Sequence, residues 1–118
     1  MASRWYTAVI DASDPARLAR WWAAVLDYRI IYESPEEVVI ARDENTYPGL
    51  VFVPVPEAKT VKNRLHIDLN PDDQDAEVER LIDMGARRVD VGQGEKATWV
   101  VLGDPEGNEF CVLRARAQ

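Results

Sequence analysis

The spacing of hydrophobic residues predicts a helix near the start of the chain. Over about residues 15–26, apolar side chains recur at the spacing of one helix face, which is typical of an amphipathic helix. Ser13 or Asp14 suits the N-cap, and Pro15 suits the first turn because its missing N–H would be unpaired there. The apolar positions of this helix are Leu18, Trp21, Trp22, Val25 and Leu26.

The second half of the chain repeats the order of the first. Strand-like stretches follow the first helix at about 29–34, 37–42 and 50–55. In the second half, residues 64–70 alternate polar and apolar, which indicates a half-buried strand. A helix then begins at Pro71-Asp72-Asp73, carries Val78, Leu81 and Ile82, and ends at Gly85 as its C-cap. Further strands are predicted near 87–91, 97–102 and 108–114. The halves align at an offset of about 57–58, which indicates an internal repeat.

This repeat predicts two βαβββ modules, one over about 4–56 and the other over about 62–115. Residues 54–60, which are polar and proline-rich, are predicted to link them. Neither module has enough apolar surface to stand alone, so we expect them to share a core. The fold class is then α+β, with a cupped, mostly antiparallel sheet and helices on its outer face.

Strand alternation predicts which side chains face the concave side of the sheet. On the fifth strand Leu65, Ile67 and Leu69 are expected under a helix, and on the last strand Phe110 and Val112 belong to the core. The residues left facing the concavity are Trp5, Thr7, Val9 and Asp11 in the first strand, Arg64, His66 and Asp68 in the fifth, and Glu109, Cys111 and Leu113 in the last.

Composition and charge narrow the function classes. The 118 residues, 47% hydrophobic and 30% charged, are ordinary for one globular domain. No apolar run approaches the roughly 20 residues of a membrane span, and the N-terminus has no signal-peptide core. The lone Cys111 has no internal disulfide partner, so the cytoplasm is expected. A net charge of −7 argues against nucleic-acid partners, because phosphates must meet a basic surface.

Two strings in the second half carry a family resemblance: His66-Ile67-Asp68, and Gly103-Asp104-Pro105-Glu106-Gly107-Asn108-Glu109-Phe110 on the final hairpin. With the order of elements, they resemble the vicinal oxygen chelate superfamily, and within it the short glyoxalase-like domain proteins. That superfamily contains glyoxalase I, extradiol dioxygenases, fosfomycin-modifying enzymes and bleomycin-resistance proteins. The resemblance covers nearly the whole chain and implies the paired-module fold and a homodimer. It does not select an activity, since the superfamily includes both enzymes and pure binders.

The resemblance also implies where a metal would be held. Enzymes of the superfamily bind a divalent metal with one side chain from each of four strands, usually His and Glu or Gln. By position the second half supplies His66 and Glu109, whereas the first half offers only non-ligands at 7–9 and 51–52. Three protein ligands and an open position are the usual catalytic set. A single histidine also cannot supply the two that the dioxygenases use. We therefore expect no metal cofactor, with an incomplete site at His66 and Glu109 as the alternative.

Aromatic residues are numerous, and each has two interpretations. Trp5 and Trp99 lie on predicted strands and suit either an aromatic wall for a planar ligand or plain core packing. Trp21 and Trp22 are adjacent on a helix, so both cannot face the core. One is expected to be buried, and the other to lie at the core edge or in a subunit contact.

Four polar or reactive residues are expected to have structural roles. Cys111 is expected to be a small buried hydrophobe rather than a reactive thiol. Asp11 and Asp68, near strand ends, suit capping or turn roles, and the loop that contains Asp104 is expected to shape the final hairpin.

The expected function is metal-free small-molecule binding of the bleomycin-resistance type, with sequestration of a toxic or antibiotic-like aromatic compound. Such a binder needs only a shaped pocket and a few polar anchors. The expected ligand-binding residues are His66, Glu109, Trp5, Thr7, Val9, Val51, Arg64, Trp99 and Cys111. The alternative is a glyoxalase-type lyase or isomerase in which His66 and Glu109 act as an acid/base pair, with or without a divalent metal. A third hypothesis is an accessory domain without a ligand.

Overall fold

Two units make up the chain, divided between Ala58 and Lys59. The structure is a computed structural model, and it describes residues 2–89 and 98–114. The division falls within residues 54–60, the segment that the sequence predicts as a linker. Each unit is described below by itself.

Each unit follows the order βαβββ. The first contains β1 (Thr7–Ala12), α1 (Pro15–Leu26), β2 (Arg29–Ser34), β3 (Glu37–Ala41) and β4 (Gly49–Pro54). The second contains β5 (Asp68–Leu69), α2 (Gln74–Asp83), β6 (Arg87–Arg88), β7 (Val100–Gly103) and β8 (Glu109–Val112). The strand orders are β1-β4-β3-β2 and β5-β8-β7-β6. In each sheet the first and fourth strands run parallel and the other neighbours antiparallel. The predicted α+β class with two repeated modules is confirmed.

Helix α1 begins and packs as its sequence predicts. The Asp14 side chain accepts a hydrogen bond from the backbone N–H of Arg17 at 3.3 Å, which makes Asp14 the N-cap. Trp22 is 2% exposed and lies in the core, and Trp21 is half-buried beside it. The two rings meet edge-on, with centroids 5.1 Å apart. The prediction that only one of the pair is fully buried is confirmed.

Helix α2 begins directly after Pro71-Asp72-Asp73, where its start was predicted, but its C-cap is Met84, one residue before the predicted Gly85. The Asp73 side chain accepts from the backbone N–H of Ala76 at 3.2 Å. Met84 ends the helix, and Gly85 follows with φ +110°, a conformation that side chains other than glycine's disfavour. On the inner side of the helix, Val78 and Leu81 are buried, whereas Ile82 is 37% exposed.

The most deeply buried strand side chains lie on the helix side of each sheet. In the first unit Val38, Ile40 and Phe52 are at most 1% exposed, and α1 packs over β3 and β4. In the second unit Phe110 and Val112 are equally buried, as predicted, and α2 packs against β8. Neither helix in the described ranges is long and apolar enough to cross a membrane.

The predicted fifth strand is wrong over most of its length. Only Asp68–Leu69 form β5, and Leu65 is 87% exposed instead of lying under a helix. Alternation in a sequence predicts a strand without regard to a partner. In the ladder between β5 and β8, Asp68 pairs with Cys111 and Leu69 with Val112. The ladder begins at Ile67, whose carbonyl accepts a hydrogen bond from the Cys111 N–H at 2.9 Å.

Two tryptophans lie outside the strands to which they were assigned. Trp5 precedes β1 and is 66% exposed, and Trp99 precedes β7 and is 39% exposed. Core packing is therefore wrong for both. Residues 90, 91 and 97 of the predicted strands and residue 115 of the second module lie outside the described residues.

Candidate functional site

In the first unit, the sheet face turned away from α1 carries a row of valines. Val9 on β1 lies opposite Val51 on β4, and Val51 lies opposite Val39 on β3. We call Val9, Val51 and Val39 the valine strip. Val9 is 59% exposed and the other two are half-buried. The strip is therefore an apolar surface that can contact a ligand, while the neighbouring Val38, Ile40 and Phe52 fill the core.

The valine strip occupies the positions at which the family resemblance implies metal ligands in the first half. Through the repeat offset, Val9 corresponds to His66 and Val51 to Glu109. Neither valine has a donor atom, and the Thr7 hydroxyl donates to the Gly49 carbonyl at 3.1 Å. The first unit therefore does not fit the four-strand divalent metal centre.

Glu109 begins β8 in the second unit and is held by two donors. Lys59 Nζ lies 2.6 Å from Oε2, and the Asn63 backbone N–H donates to Oε1 at 2.7 Å. The side chains of Lys59 and Glu109 are 19% and 13% exposed. Burial raises the pKa of the Glu109 carboxyl, but the Asn63 N–H and the Lys59 ammonium together outweigh it and hold the pKa below its usual value. The carboxylate thus has an internal structural role at both oxygens.

His66, Asp68 and Cys111 lie together in the same unit. His66 Nε2 is 3.0 Å from Asp68 Oδ1, and both side chains are about half exposed. Asp68 on β5 is the direct partner of Cys111 on β8. Burial raises the pKa of the Cys111 thiol, and the charge of Asp68 and a hydrogen bond to it raise that pKa further. One ligand atom from each of the three residues lies within 4.8 Å of the other two.

The contact between His66 and Glu109 that the lyase or isomerase alternative would need is not formed in the described part of the chain. His66 pairs with Asp68, and Glu109 pairs with Lys59 and Asn63. The acid/base pair expected from the sequence is therefore replaced by His66 and Asp68. Asp68 was expected to cap or turn the chain; in the structure it lies on β5, with Oδ1 3.0 Å from His66 Nε2.

The other expected ligand-binding residues divide between the units. Trp5, Thr7, Val9 and Val51 belong to the first unit, and Arg64, Trp99 and Cys111 to the second. Arg64 is exposed, and Cys111 is 7% exposed, as expected for a buried thiol. The sequence analysis did not single out Tyr6 and Tyr47, whose exposed rings lie 5.1 Å apart in the first unit.

Three residues of the second-unit site were missed, and one of them had a usable signal. Asp68 follows His66 by two residues, so alternation places both on one face of a strand. Lys59 and Asn63 come from irregular segments, and no periodicity could connect them to Glu109.

The loop around Asp104 has the turn role that was predicted. Asp104 is 4% exposed, and its Oδ1 accepts from the backbone N–H groups of Glu106 and Asn108 at 2.9 and 3.0 Å. The Asn108 side chain donates to both oxygens. Gly107, with φ +86°, completes the turn.

Comparison with known proteins identifies relatives by family and by fold. The family model described as "Glyoxalase-like domain" matches residues 7–113. No curated protein sequence matches the chain. Among solved structures, the chain resembles a glyoxalase/bleomycin resistance protein/dioxygenase family enzyme from Burkholderia phytofirmans, with 20% identity and a TM-score of 0.66 over 90% of this chain and 94% of that one.

Two further structures resemble the chain over almost its whole length. One is the fosfomycin resistance protein FosX from Mesorhizobium loti, with 16% identity and a TM-score of 0.69 over 99% of this chain and 94% of that one. The other is a bleomycin-binding protein from Streptomyces verticillus in complex with copper(II)-bleomycin. It has 14% identity and a TM-score of 0.63 over 98% of this chain and 99% of that one. At these identities the likeness establishes the fold and not the ligand.

Proposed function

The chain belongs to the glyoxalase-like domain family, and on that premise we propose that it binds a small aromatic molecule without the four-strand metal centre of the related enzymes. Binding rather than turnover would be its role, with sequestration of a toxic or antibiotic-like compound as the outcome. The valine strip is the observation on which the proposal depends. It puts apolar side chains at the two positions where the family's metal enzymes need ligands.

The strip suits an apolar ligand for an energetic reason. Val9 leaves 59% of its surface exposed, and covering apolar surface contributes about 25 cal/mol per Å². Exposed aromatic rings in the same unit, Trp5, Tyr6 and Tyr47, add groups that stack on planar molecules. The second unit, taken by itself, has two exposed polar groups, His66 and Arg64, that could bind a ligand there. Glu109 could bind a ligand only if the ligand displaced Lys59 or Asn63 from its carboxylate.

A screen of aromatic compounds by tryptophan fluorescence tests the proposal. We expect at least one compound to bind saturably at one equivalent per chain. We expect Val9→Asp to weaken that binding by about tenfold or more, because a charge beside a covered apolar ligand must be desolvated. Val61→Asp is the matched control, since Val61 is 75% exposed and lies outside the strip. A panel without binders, or equal binding by Val9→Asp and wild type, would overturn the proposal.

A second candidate function is a lyase or isomerase that uses no metal. The observation that favours it is the 3.0 Å contact between His66 and Asp68, in which a carboxylate orients an imidazole that could act as a general base. Turnover of a bound compound, lost in both His66→Ala and Asp68→Asn, would establish the enzyme. Binding without turnover would leave the sequestering role.

We propose that the protein acts as a homodimer in a reducing compartment such as the cytoplasm. The exposed side chains of Ile30 and Tyr32 on β2, which the ligand proposal does not use, support a subunit contact, and the free Cys111 supports a reducing environment. Light scattering on the purified chain should give twice the mass of 13.4 kDa. A monomer at micromolar concentration would contradict the dimer and leave the binding proposal standing.

A further inference from the structure

The second unit contains a cluster of three different metal-ligating groups that the proposed function does not require. Its members are the His66 imidazole, the Asp68 carboxylate and the Cys111 thiol, with ligand atoms within 4.8 Å of one another. Strand pairing places them there. Asp68 lies opposite Cys111 in the parallel β5–β8 ladder, and His66 precedes Asp68 by two residues.

We propose that His66 Nε2, a carboxylate oxygen of Asp68 and Cys111 Sγ bind one thiophilic divalent cation of the zinc class. The donor set selects the class of ion. Imidazole and thiolate favour Zn²⁺ and its neighbours in the first transition row, whereas Mg²⁺ and Ca²⁺ prefer oxygen ligands. Three protein ligands leave a fourth tetrahedral position open for water or for a donor atom of another molecule.

The distances fit such an ion after small side-chain rotations. Bonds of about 2.0–2.3 Å to a tetrahedral zinc separate its ligand atoms by about 3.3–3.8 Å. His66 Nε2 and Asp68 Oδ1 are 3.0 Å apart, and no ligand atom of the cluster is more than 4.8 Å from another. Shifts of about an ångström bring the three into range, and the half-exposed His66 and Asp68 side chains have room to make them.

Metal binding would replace the contacts that His66, Asp68 and Cys111 make with one another. Without metal, Asp68 Oδ1 lies 3.0 Å from His66 Nε2, and the Asp68 carboxylate is hydrogen-bonded to the Cys111 thiol. On coordination the S–H bond breaks, a sulfur–metal bond forms, and the proton passes to the buffer. One nearby group opposes a cation, since Lys62 lies close enough to act on Cys111 through its charge.

This site differs from the family's metal centre in two of its residues. The family resemblance implies His66 and Glu109 in this unit, but Lys59 and Asn63 hold both Glu109 oxygens. The new set keeps His66 and takes Asp68 and Cys111 in place of Glu109. It requires nothing from the first unit and stands without the valine strip, although it shares His66 with the polar anchors named for the proposed function.

Cobalt titration of untagged, chelator-treated, reduced protein tests the site. We expect one Co²⁺ per chain, a cobalt–thiolate charge-transfer absorption in the near ultraviolet, and its loss when Zn²⁺ displaces the cobalt. Cys111→Ala should remove the absorption. Loss of an outer-shell partner typically costs about 10–100-fold in metal affinity, so His66→Ala and Asp68→Asn, which remove ligands, should cost about 100-fold or more.

Two variants control for the location of the ion. Glu109→Gln alters the residue that the family resemblance implies, and Asp83→Asn removes an exposed carboxylate of α2. Both should bind Co²⁺ as the wild type does. Binding lost in Glu109→Gln but kept in Cys111→Ala would overturn the proposal in favour of a pair with Glu109, and absence of a stoichiometric Co²⁺ site would overturn it outright. Because Asp68 is half exposed, Asp68→Asn keeps the test decisive even if the buried Cys111→Ala fails to fold.

Discussion

The ammonium group of Lys59 lies 2.6 Å from the Glu109 carboxylate, although 50 residues separate them in the sequence. Both side chains are less than one-fifth exposed, and Asn63 donates to the second carboxylate oxygen. The pair ties the first residue of the second unit to the start of its last strand. The acid that would bind metal in a related enzyme is thus an internal anchor in this chain.

Removing the cation of that pair should destabilise the protein. We expect Lys59→Met to lower the free energy of unfolding by about 1–3 kcal/mol, because Glu109 stays buried with one donor fewer. Urea denaturation at neutral pH measures the difference. Arg20→Met is the matched control, since the Arg20–Glu33 pair is largely exposed and should contribute nothing measurable. Equal effects of the two substitutions would show that the Lys59–Glu109 contact is not a stabilising anchor.

Substitution of Asp104, the buried acid of the final hairpin, should destabilise the protein more than Lys59→Met does. Asp104→Ala removes the acceptor for the N–H groups of Glu106 and Asn108. We expect a loss of about 2–4 kcal/mol in the free energy of unfolding, since several donors are left unpaired at once. Thermal denaturation followed by circular dichroism provides the measurement, with the exposed Glu79→Ala as control. A melting temperature equal to that of the control variant would contradict the role of Asp104.

Asp43, in a turn of the first unit, should have a lowered pKa whose cause can be assigned. Hydrogen bonds from the Thr46 hydroxyl and, to a lesser extent, from the Asn45 backbone N–H hold the pKa of Asp43 below its usual value. Since the folded pKa is the lower one, the stabilising effect is complete above the unfolded pKa of about 3.9 and is lost as pH falls through the folded value.

Removing the Thr46 hydroxyl should reverse most of that shift. We expect Thr46→Val to raise the pKa of Asp43 toward its usual value in an NMR titration of the side-chain carboxyl. Ser34→Ala, which removes a hydroxyl from a different turn of the same unit, should leave it unchanged. An identical Asp43 pKa in Thr46→Val and wild type would assign the shift to another cause.

Local signals in the sequence predict most of the fold. Capping residues such as Asp14, the turn around Asp104, and Gly85 after α2 act within a few residues, so pattern and propensity find them. Hydrophobic patterns mispredict a segment when its structure depends on pairing with another strand. Leu65 alternates with polar neighbours yet is 87% exposed, because the segment around it pairs with no strand among residues 2–89 and 98–114.

The candidate site is less predictable because its contacts are long-range and polar. The valines at positions 9 and 51 could be read from the repeat, and their pairing follows from the order of elements. The pairing of Glu109 with Lys59 could not, since the two residues are 50 positions apart in the sequence. A charge in an irregular segment leaves no periodic signal.

Ligand binding by protein stripped of metal tests the central claim most directly. After exhaustive chelation, the aromatic compound found by the fluorescence screen should bind wild type saturably, with the same Kd as before chelation and no gain on adding Zn²⁺, Ni²⁺ or Fe²⁺. That result would support a ligand site that works without the four-strand metal centre. Binding that disappears on chelation and returns with one equivalent of metal, in Cys111→Ala as well as in wild type, would contradict it and place this chain with the metal-dependent members of its family.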